Sequence, residues 1–151
     1  MSSRPCATSS GSSLGLLFRQ VRDAMWARMA DELARAGHVL SFSQYVVLKT
    51  LALGPICAGD LARAAELNPG AMTRLLDKLV ARGLVDRVPD PADRRVLRIR
   101  LTEAGEAIWR DIEQCGQRVR ERALAGLDDA ERARLIRLLE QVRDNLKAPA
   151  E

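Results

Sequence analysis

The sequence predicts a mainly α-helical fold carrying one small β-wing, and three features of the chain predict it. Residues 68–102, NPGAMTRLLDKLVARGLVDRVPDPADRRVLRIRLT, read as a helix, a tight stop, a strand, an Arg-rich turn and a second strand. Most other segments repeat apolar residues every three or four positions, the period of a helix with one buried face. The first and last helices carry apolar stripes that a small winged unit cannot cover. A helix followed by a basic β-hairpin is what a winged helix-turn-helix needs to reach two DNA grooves at once. With 151 residues, the chain is one ordinary domain in length and can bury a core of its own. We read it as a single integrated unit. A Ser-rich, disordered tail covers 1–13, terminal dimerisation helices cover 14–37 and 106–147, and the winged helix-turn-helix covers 38–105.

The first helix is expected from Leu14 to about Ala36, with Leu17, Val21, Met25, Met29 and Leu33 at steps of four and Gly37 as its stop. Ser41 and Gln44 have capping-box spacing and open a helix carrying Tyr45, Val47, Leu48, Leu51 and Leu53, which ends at Gly54-Pro55. A short helix over Asp60–Glu66 follows, with no evident cap. Asn68 then caps the next helix and Pro69 suits its first position, where a missing N–H costs nothing. Met72, Leu75, Leu76, Leu79 and Val80 form its apolar face, and Gly83 its left-handed stop. Leu84-Val85 and Val96–Leu101 read as strands around the turn PDPADRR. A long helix runs from Thr102 to about Ala125, with Ile108, Ile112, Cys115 and Val119 on one face, until Gly126 breaks it. Asp128 and Glu131 form a second capping box, opening a final helix striped by Leu135, Leu138, Leu139, Val142 and Leu146.

Composition narrows the function. The formal net charge is +4, but between residues 82 and 100 six arginines (82, 87, 94, 95, 98, 100) stand against three aspartates (86, 90, 93). Aromatic residues are too few for the stacking platforms of single-stranded nucleic-acid binders, so a basic hairpin favours duplex DNA. Otherwise these arginines form a solvated face. Charges interrupt every apolar run and the N-terminus lacks an apolar signal segment, so a cytoplasmic location is expected. Cys6, Cys57 and Cys115 are an odd, scattered set that argues against a disulfide scaffold or a zinc site. With one histidine and no phosphate-cradling loop, the chain offers no catalytic constellation, metal site or cofactor site.

GLVDRVPDPADRRVLRIRLTEAG resembles the wing signature of the MarR family of bacterial transcriptional regulators, a D-x-R motif followed by L-T-x-x-G. Here those residues are Asp93, Arg95, Leu101, Thr102 and Gly105. LSFSQYVVLKTLA is similar to the family's second helix and MTRLLDKLVARGLV to its recognition helix, so the likeness spans roughly Leu40–Gly105 by motif. It implies a homodimeric, ligand-responsive repressor whose terminal helices intertwine, bound to a near-palindromic operator with half-sites about one helical turn apart. The chain departs from the family pattern at the start of the short helix, where Ala58 and Gly59 stand in place of the Ser or Thr that often caps it.

The recognition helix would present Pro69, Gly70, Ala71, Thr73 and Arg74 to the major groove. Arg74 suits a bidentate contact to guanine or, equally, a phosphate clamp. Thr73 suits a thymine methyl or a phosphate, and Lys78 the DNA backbone or an acidic neighbour. In the wing, Arg95 matches the family's arginine and Asp93 the carboxylate expected to hold its guanidinium ready for a narrow minor groove. Arg94 should face the other way, toward a phosphate. Arg98 and Arg100 share a solvent face and are either DNA contacts or solubilising strand residues.

The resemblance also implies an effector, a small phenolic compound or aromatic acid bound between the dimer helices and the winged region. Arg19, Arg22, Trp26, His38 and Tyr45 are the candidate lining, since an arginine with aromatics suits a planar carboxylate. Trp26 and Tyr45 are equally ordinary core residues, and His38 a loop residue. Two other readings stand beside this one. Some relatives sense peroxide through a cysteine, but Cys6 lies in the tail, Cys57 beside a turn, and Cys115 on an apolar face where burial makes a thiol inert. A winged helix can also serve only to dock a protein partner.

Overall fold

The structure, a computed structural model, describes residues 11–149. Its elements are α1 (Gly11–Arg35), α2 (Phe42–Leu51), β1 (Ile56–Cys57), α3 (Ala58–Ala64), α4 (Pro69–Ala81), β2 (Val85–Pro89), β3 (Leu97–Leu101), α5 (Glu103–Ala123) and α6 (Asp129–Lys147). None of these helices is long and apolar enough to cross a membrane. Most of the expected tail, and Cys6 with it, lies outside the described residues, although α1 begins at Gly11, inside the 1–13 segment read as tail.

Local chemistry sets the helix boundaries. Ser41 Oγ accepts from Gln44 N at 3.1 Å while Gln44 Oε1 accepts from Ser41 N at 3.0 Å, closing the capping box of α2. Asp128 and Glu131 repeat that exchange at α6. Asn68 Oδ1 accepts from Ala71 N at 2.8 Å at the start of α4. At its end the N–H groups of Gly83 and Leu84 return to Val80 O and Leu79 O, and Gly83 takes φ +72°. That is the left-handed closure only glycine adopts without cost.

The core joins two groups of side chains. Leu48, Leu51, Leu61, Met72, Leu76 and Leu79 from α2, α3 and α4 close over Val85 and Ile99 of the sheet. Met29 and Leu33 of α1 meet Ile112, Cys115 and Val119 of α5. The sheet is antiparallel with strand order β1-β3-β2, pairing Ile56 with Ile99 and Val85 with Leu101. β1 is too short for any periodicity to announce it. β2 continues to Pro89 where the sequence predicted a stop at Val85, because β2 is an edge strand and tolerates a proline at its end. β3 starts at Leu97 rather than Val96, whose N–H instead closes the turn onto Asp93 O.

Other expectations need correction. Leu53 lies past the end of α2 and is 91% exposed, so it belongs to the turn and not to the stripe. α3 begins two residues early, at Ala58, with Cys57 as N-cap and no side-chain cap bond. Of the α1 stripe only Met29 and Leu33 are buried; Leu17, Val21 and Met25 are exposed, together with Leu14 and Phe18. α6 buries no residue at all, leaving Ile136, Leu138, Leu139 and Leu146 open.

The start of α5 fixes the wing. Thr102 is the lone residue between β3 and α5. Its hydroxyl donates to Gly83 O at 2.6 Å and accepts from Gly105 N at 3.0 Å, and its N–H donates to Leu84 O at 3.0 Å. A Cβ on Gly105 would collide with the Leu84 carbonyl oxygen, 3.1 Å from its carbon and 3.3 Å from Leu101 Cδ2. Only a hydrogen fits there. The L-T-x-x-G pattern therefore seats α5 directly on the turn that follows α4.

Candidate nucleic-acid interface

α3 and α4 form the helix-turn-helix, joined by a turn in which Glu66 adopts φ +54°. Met72, Leu76 and Leu79 hold α4 in the core, so its opposite face is presented outward. On that face Pro69, Gly70, Thr73, Arg74 and Lys78 are exposed, while Ala71 is half-buried. Thr73 Oγ1 donates to Pro69 O at 2.9 Å, which turns its hydroxyl back to the helix and leaves its methyl as the outward group. Arg82 donates to Val39 O at 3.4 Å.

The wing is organised by a residue the sequence reading passed over. Asp90 is 8% exposed, and its Oδ1 accepts from the N–H groups of Ala92 at 2.7 Å and Asp93 at 3.4 Å. Its Oδ2 accepts from the Arg98 guanidinium across the turn. The Ala92 N–H, and then Arg98, hold the Asp90 carboxyl below its ordinary value against an opposing burial effect. Asp93 takes a different part from the one expected. Its Oδ1 accepts from the Arg95 backbone N–H at 3.0 Å, so it shapes the turn and does not grip the Arg95 guanidinium.

Charge is thereby sorted. Arg87 pairs with Asp77 at 2.6 Å, Arg98 with Asp90, and Arg100 with Asp86 at 3.5 Å. Arg98 and Arg100 are strand-bound ion pairs rather than simple solubilising residues. Arg74, Lys78, Arg94 and Arg95 have no acidic partner within ion-pair distance among the described residues. Within residues 69–101 the cations without an acidic partner sit on α4, at its C-cap Arg82 and at the tip of the wing, the places a duplex would be met.

Behind this surface, Trp26, Phe42, Tyr45 and Trp109 form a chain of rings. Centroids are 5.0 Å apart for Trp26 and Phe42, 5.7 Å for Trp26 and Tyr45, and 6.2 Å for Tyr45 and Trp109. A cavity of about 390 Å³ opens beside them, walled by Phe18, Val21, Met25, Trp26, Phe42 and Tyr45, with Arg22 also lining it. Of the five candidate effector residues, Arg22, Trp26 and Tyr45 come together here. Arg19 lies two turns of helix from Trp26 and does not line the cavity; nor does His38, whose Nε2 is 3.1 Å from Asp111 Oδ2 on α5. Phe42 was missed, although its i, i+3 spacing to Tyr45 placed both on one face.

Among the described residues, the two cysteines offer no reactive arrangement. Burial pushes the Cys115 thiol up, with a smaller opposing pull from Arg118, and the Cys57 thiol donates to Asp60 Oδ2 at 3.0 Å. Among the described residues no three His, Cys, Asp or Glu side chains are placed to hold a metal ion.

Comparison with known proteins agrees with this geometry. Residues 40–97 match the family model described as MarR family. The chain is 31% identical over 107 residues to the HTH-type transcriptional repressor NicR of Pseudomonas putida, covering 70% of this chain and 68% of NicR. It is 43% identical over 60 residues to the multiple antibiotic resistance protein MarR of Escherichia coli, 40% of each chain. Among solved structures, the transcriptional regulator PA3341 superposes with a TM-score of 0.78 at 32% identity, covering 89% of this chain and 98% of that one. BpsR of Bordetella bronchiseptica, whose DNA binding is regulated by 6-hydroxynicotinic acid, superposes at 0.74 with 26% identity, covering 91% and 99%.

Proposed function

The chain belongs to the MarR family of transcriptional regulators, and we propose that it acts in the cytoplasm as a homodimeric repressor released from its operator by a small aromatic molecule. The observation that carries this reading is the sorting of charge. Arg87, Arg98 and Arg100 are spent on ion pairs, while Arg74, Lys78, Arg94 and Arg95 stay uncommitted on α4 and the wing tip. In this reading the start of α4, from Pro69 to Arg74, enters the major groove with Arg74 at a base edge. Lys78 and Arg94 meet phosphates, and Arg95 enters the minor groove from a turn shaped by Asp93.

Two further features support the assembly and its control. The exposed apolar residues of α1 and α6 form faces of the kind that intertwined terminal helices bury. A two-fold dimer would present two α4 helices to a near-palindromic site. The cavity beside Arg22, Trp26 and Tyr45 has the size and apolar walls of a small-molecule site, and regulation of BpsR by 6-hydroxynicotinic acid gives a precedent for an aromatic effector.

Fluorescence anisotropy on DNA from upstream of its own gene, with scrambled competitor, tests the reading. Arg95→Ala should weaken binding to all duplexes and flatten the salt dependence by about one unit of log–log slope. Arg74→Ala should relax preference at particular base pairs, worth roughly 1–3 kcal/mol each. Equal loss on operator and scrambled DNA for Arg74→Ala would assign it to the phosphates. No change for either substitution would refute the DNA-binding surface.

A further inference from the structure

Asp77 is the sole carboxylate on α4, and its position is awkward for a helix that meets DNA. It follows Thr73 by four residues and Arg74 by three, so it shares the face that would enter the major groove. A negative charge on that face opposes a duplex that is itself a polyanion. It also threatens Arg74 directly, because arginine and aspartate three positions apart on an exposed helix face can pair. Lys78, one residue on, faces away from it.

The wing strand removes the carboxylate from that competition. Residues along β2 alternate between its two sides. Val85 turns into the core, and Asp86 turns the other way, to Arg100. Arg87 returns to the side of Val85 and reaches α4, where its Nη2 donates to Asp77 Oδ1 at 2.6 Å. The Arg74 guanidinium leans the opposite way, toward the start of α4. Its Nη2 lies 3.9 Å from the place a Cβ on Gly70 would take, in line with the N-terminal tilt of helical side chains. The Arg87–Asp77 pair is solvent-facing, with side chains 31% and 61% exposed, and such pairs add little to stability. Its consequence is which cation holds Asp77.

We propose that Arg87 is a positioning residue for DNA recognition: it occupies the Asp77 carboxylate and so leaves the Arg74 guanidinium free for the operator. The inference rests on the DNA-reading role given to Arg74 above and adds the device that keeps Arg74 available. Without Arg87, Asp77 pairs with Arg74 along the helix, and that pair has to break before Arg74 can meet a base.

The test has one arm without DNA and one with it, and urea midpoints at a fixed chain concentration verify that each variant is folded. In the free protein, the Arg74 Nε–H resonance should shift in Arg87→Ala and return when Asp77→Asn is added. An Arg74 signal indifferent to Arg87→Ala would overturn the proposal and leave DNA reading untouched. On the duplex from upstream of its own gene, Arg74→Ala should lower affinity by roughly fivefold or more. Arg87→Ala should lose a comparable amount, and adding Arg74→Ala to it should cost little more. Asp77→Asn should restore most of what Arg87→Ala removes. A loss that Asp77→Asn fails to restore would make Arg87 a DNA contact in its own right and sink the inference. So would a full further loss for Arg74→Ala in the Arg87→Ala protein, or parent-like binding by Arg87→Ala. If Arg74→Ala itself leaves binding unchanged, the DNA-reading role of Arg74 falls and the proposal falls with it.

Discussion

Replacing Gly105 by alanine should destabilise the protein, although the same exchange in most helices stabilises. Helix propensity alone favours alanine by about 1 kcal/mol. Against that, the new Cβ would press on the Leu84 carbonyl oxygen and sit 3.1 Å from its carbon and 3.3 Å from Leu101 Cδ2. The obstacle is backbone, already tied by the Thr102 N–H at 3.0 Å, so it cannot swing aside as a side chain would. Overpacking of this kind costs about 1–3 kcal/mol, occasionally more. With backbone as the obstacle the upper part of that range, about 2–3 kcal/mol, applies, so the expected net loss is about 1–2 kcal/mol, or roughly 2–8 °C in melting midpoint at this chain length.

Gly116 on the same helix is the control, since its Cβ would meet nothing closer than Met29 Cε at 4.0 Å. Gly116→Ala should gain about 0.5–1 kcal/mol. Urea unfolding at one fixed chain concentration reads both, because association would otherwise shift the midpoint. Because α5 must tilt away from the Gly83–Leu84 turn to admit the methyl, Gly105→Ala should also lower operator affinity. A midpoint for Gly105→Ala equal to or above that of the parent would refute the close approach and the seating of α5 on that turn.

Asn68→Ala removes the cap on Ala71 N and should cost about 1 kcal/mol, read in the same urea experiment; a smaller loss for Asn68→Asp would confirm that the acceptor is what counts. Asp90 has a lowered native pKa, so its contribution to wing order is present above its ordinary value of 3.8 and is lost as pH falls through the depressed native value. Amide exchange at Ala92 and Asp93 should therefore stay protected down to acid pH and accelerate only there, whereas Asp90→Ala should lose that protection at neutral pH. Leu139→Glu on the open face of α6 should leave the helix content intact and shift sedimentation velocity from dimer to monomer; an unchanged sedimentation coefficient would place the association surface elsewhere.

Much of this fold can be read from the chain because its signals are local. Asn68-Pro69, the two capping boxes and the stop at Gly83 each act within one turn of helix, and the structure has them where the spacing puts them. What escapes the sequence depends on partners distant in the chain or on rare substitutes. Asp90 is the hub of the wing because Arg98 crosses the turn to reach it. A local hint was available in its run Asp-Pro-Ala, where an Asp carboxylate bonds the N–H two residues on. Cys57 takes the N-cap position of α3, for which cysteine is an unusual residue. β1 exists only because Ile99 offers Ile56 a partner, and two residues carry no period. The Tyr45–Trp109 ring pair joins α2 to α5 across more than sixty residues, and no spacing rule spans that distance.

The bareness of α6 has a consequence for how the protein behaves on dilution. Beyond its capping box and its own hydrogen bonds, this 19-residue helix is held to the rest of its chain by Arg132, which donates to Leu124 O and Leu127 O, and by the half-buried Leu135 and Val142. At 19 residues α6 is only about a turn longer than the isolated helices that are marginal in water. In the homodimer proposed above, the order of α6 becomes a property of the amount of protein present: firm where copies are abundant, frayed where they are scarce. A cell that makes few copies would have a population whose last helix melts and reforms, and each rise in copy number would recruit more of it into the folded form.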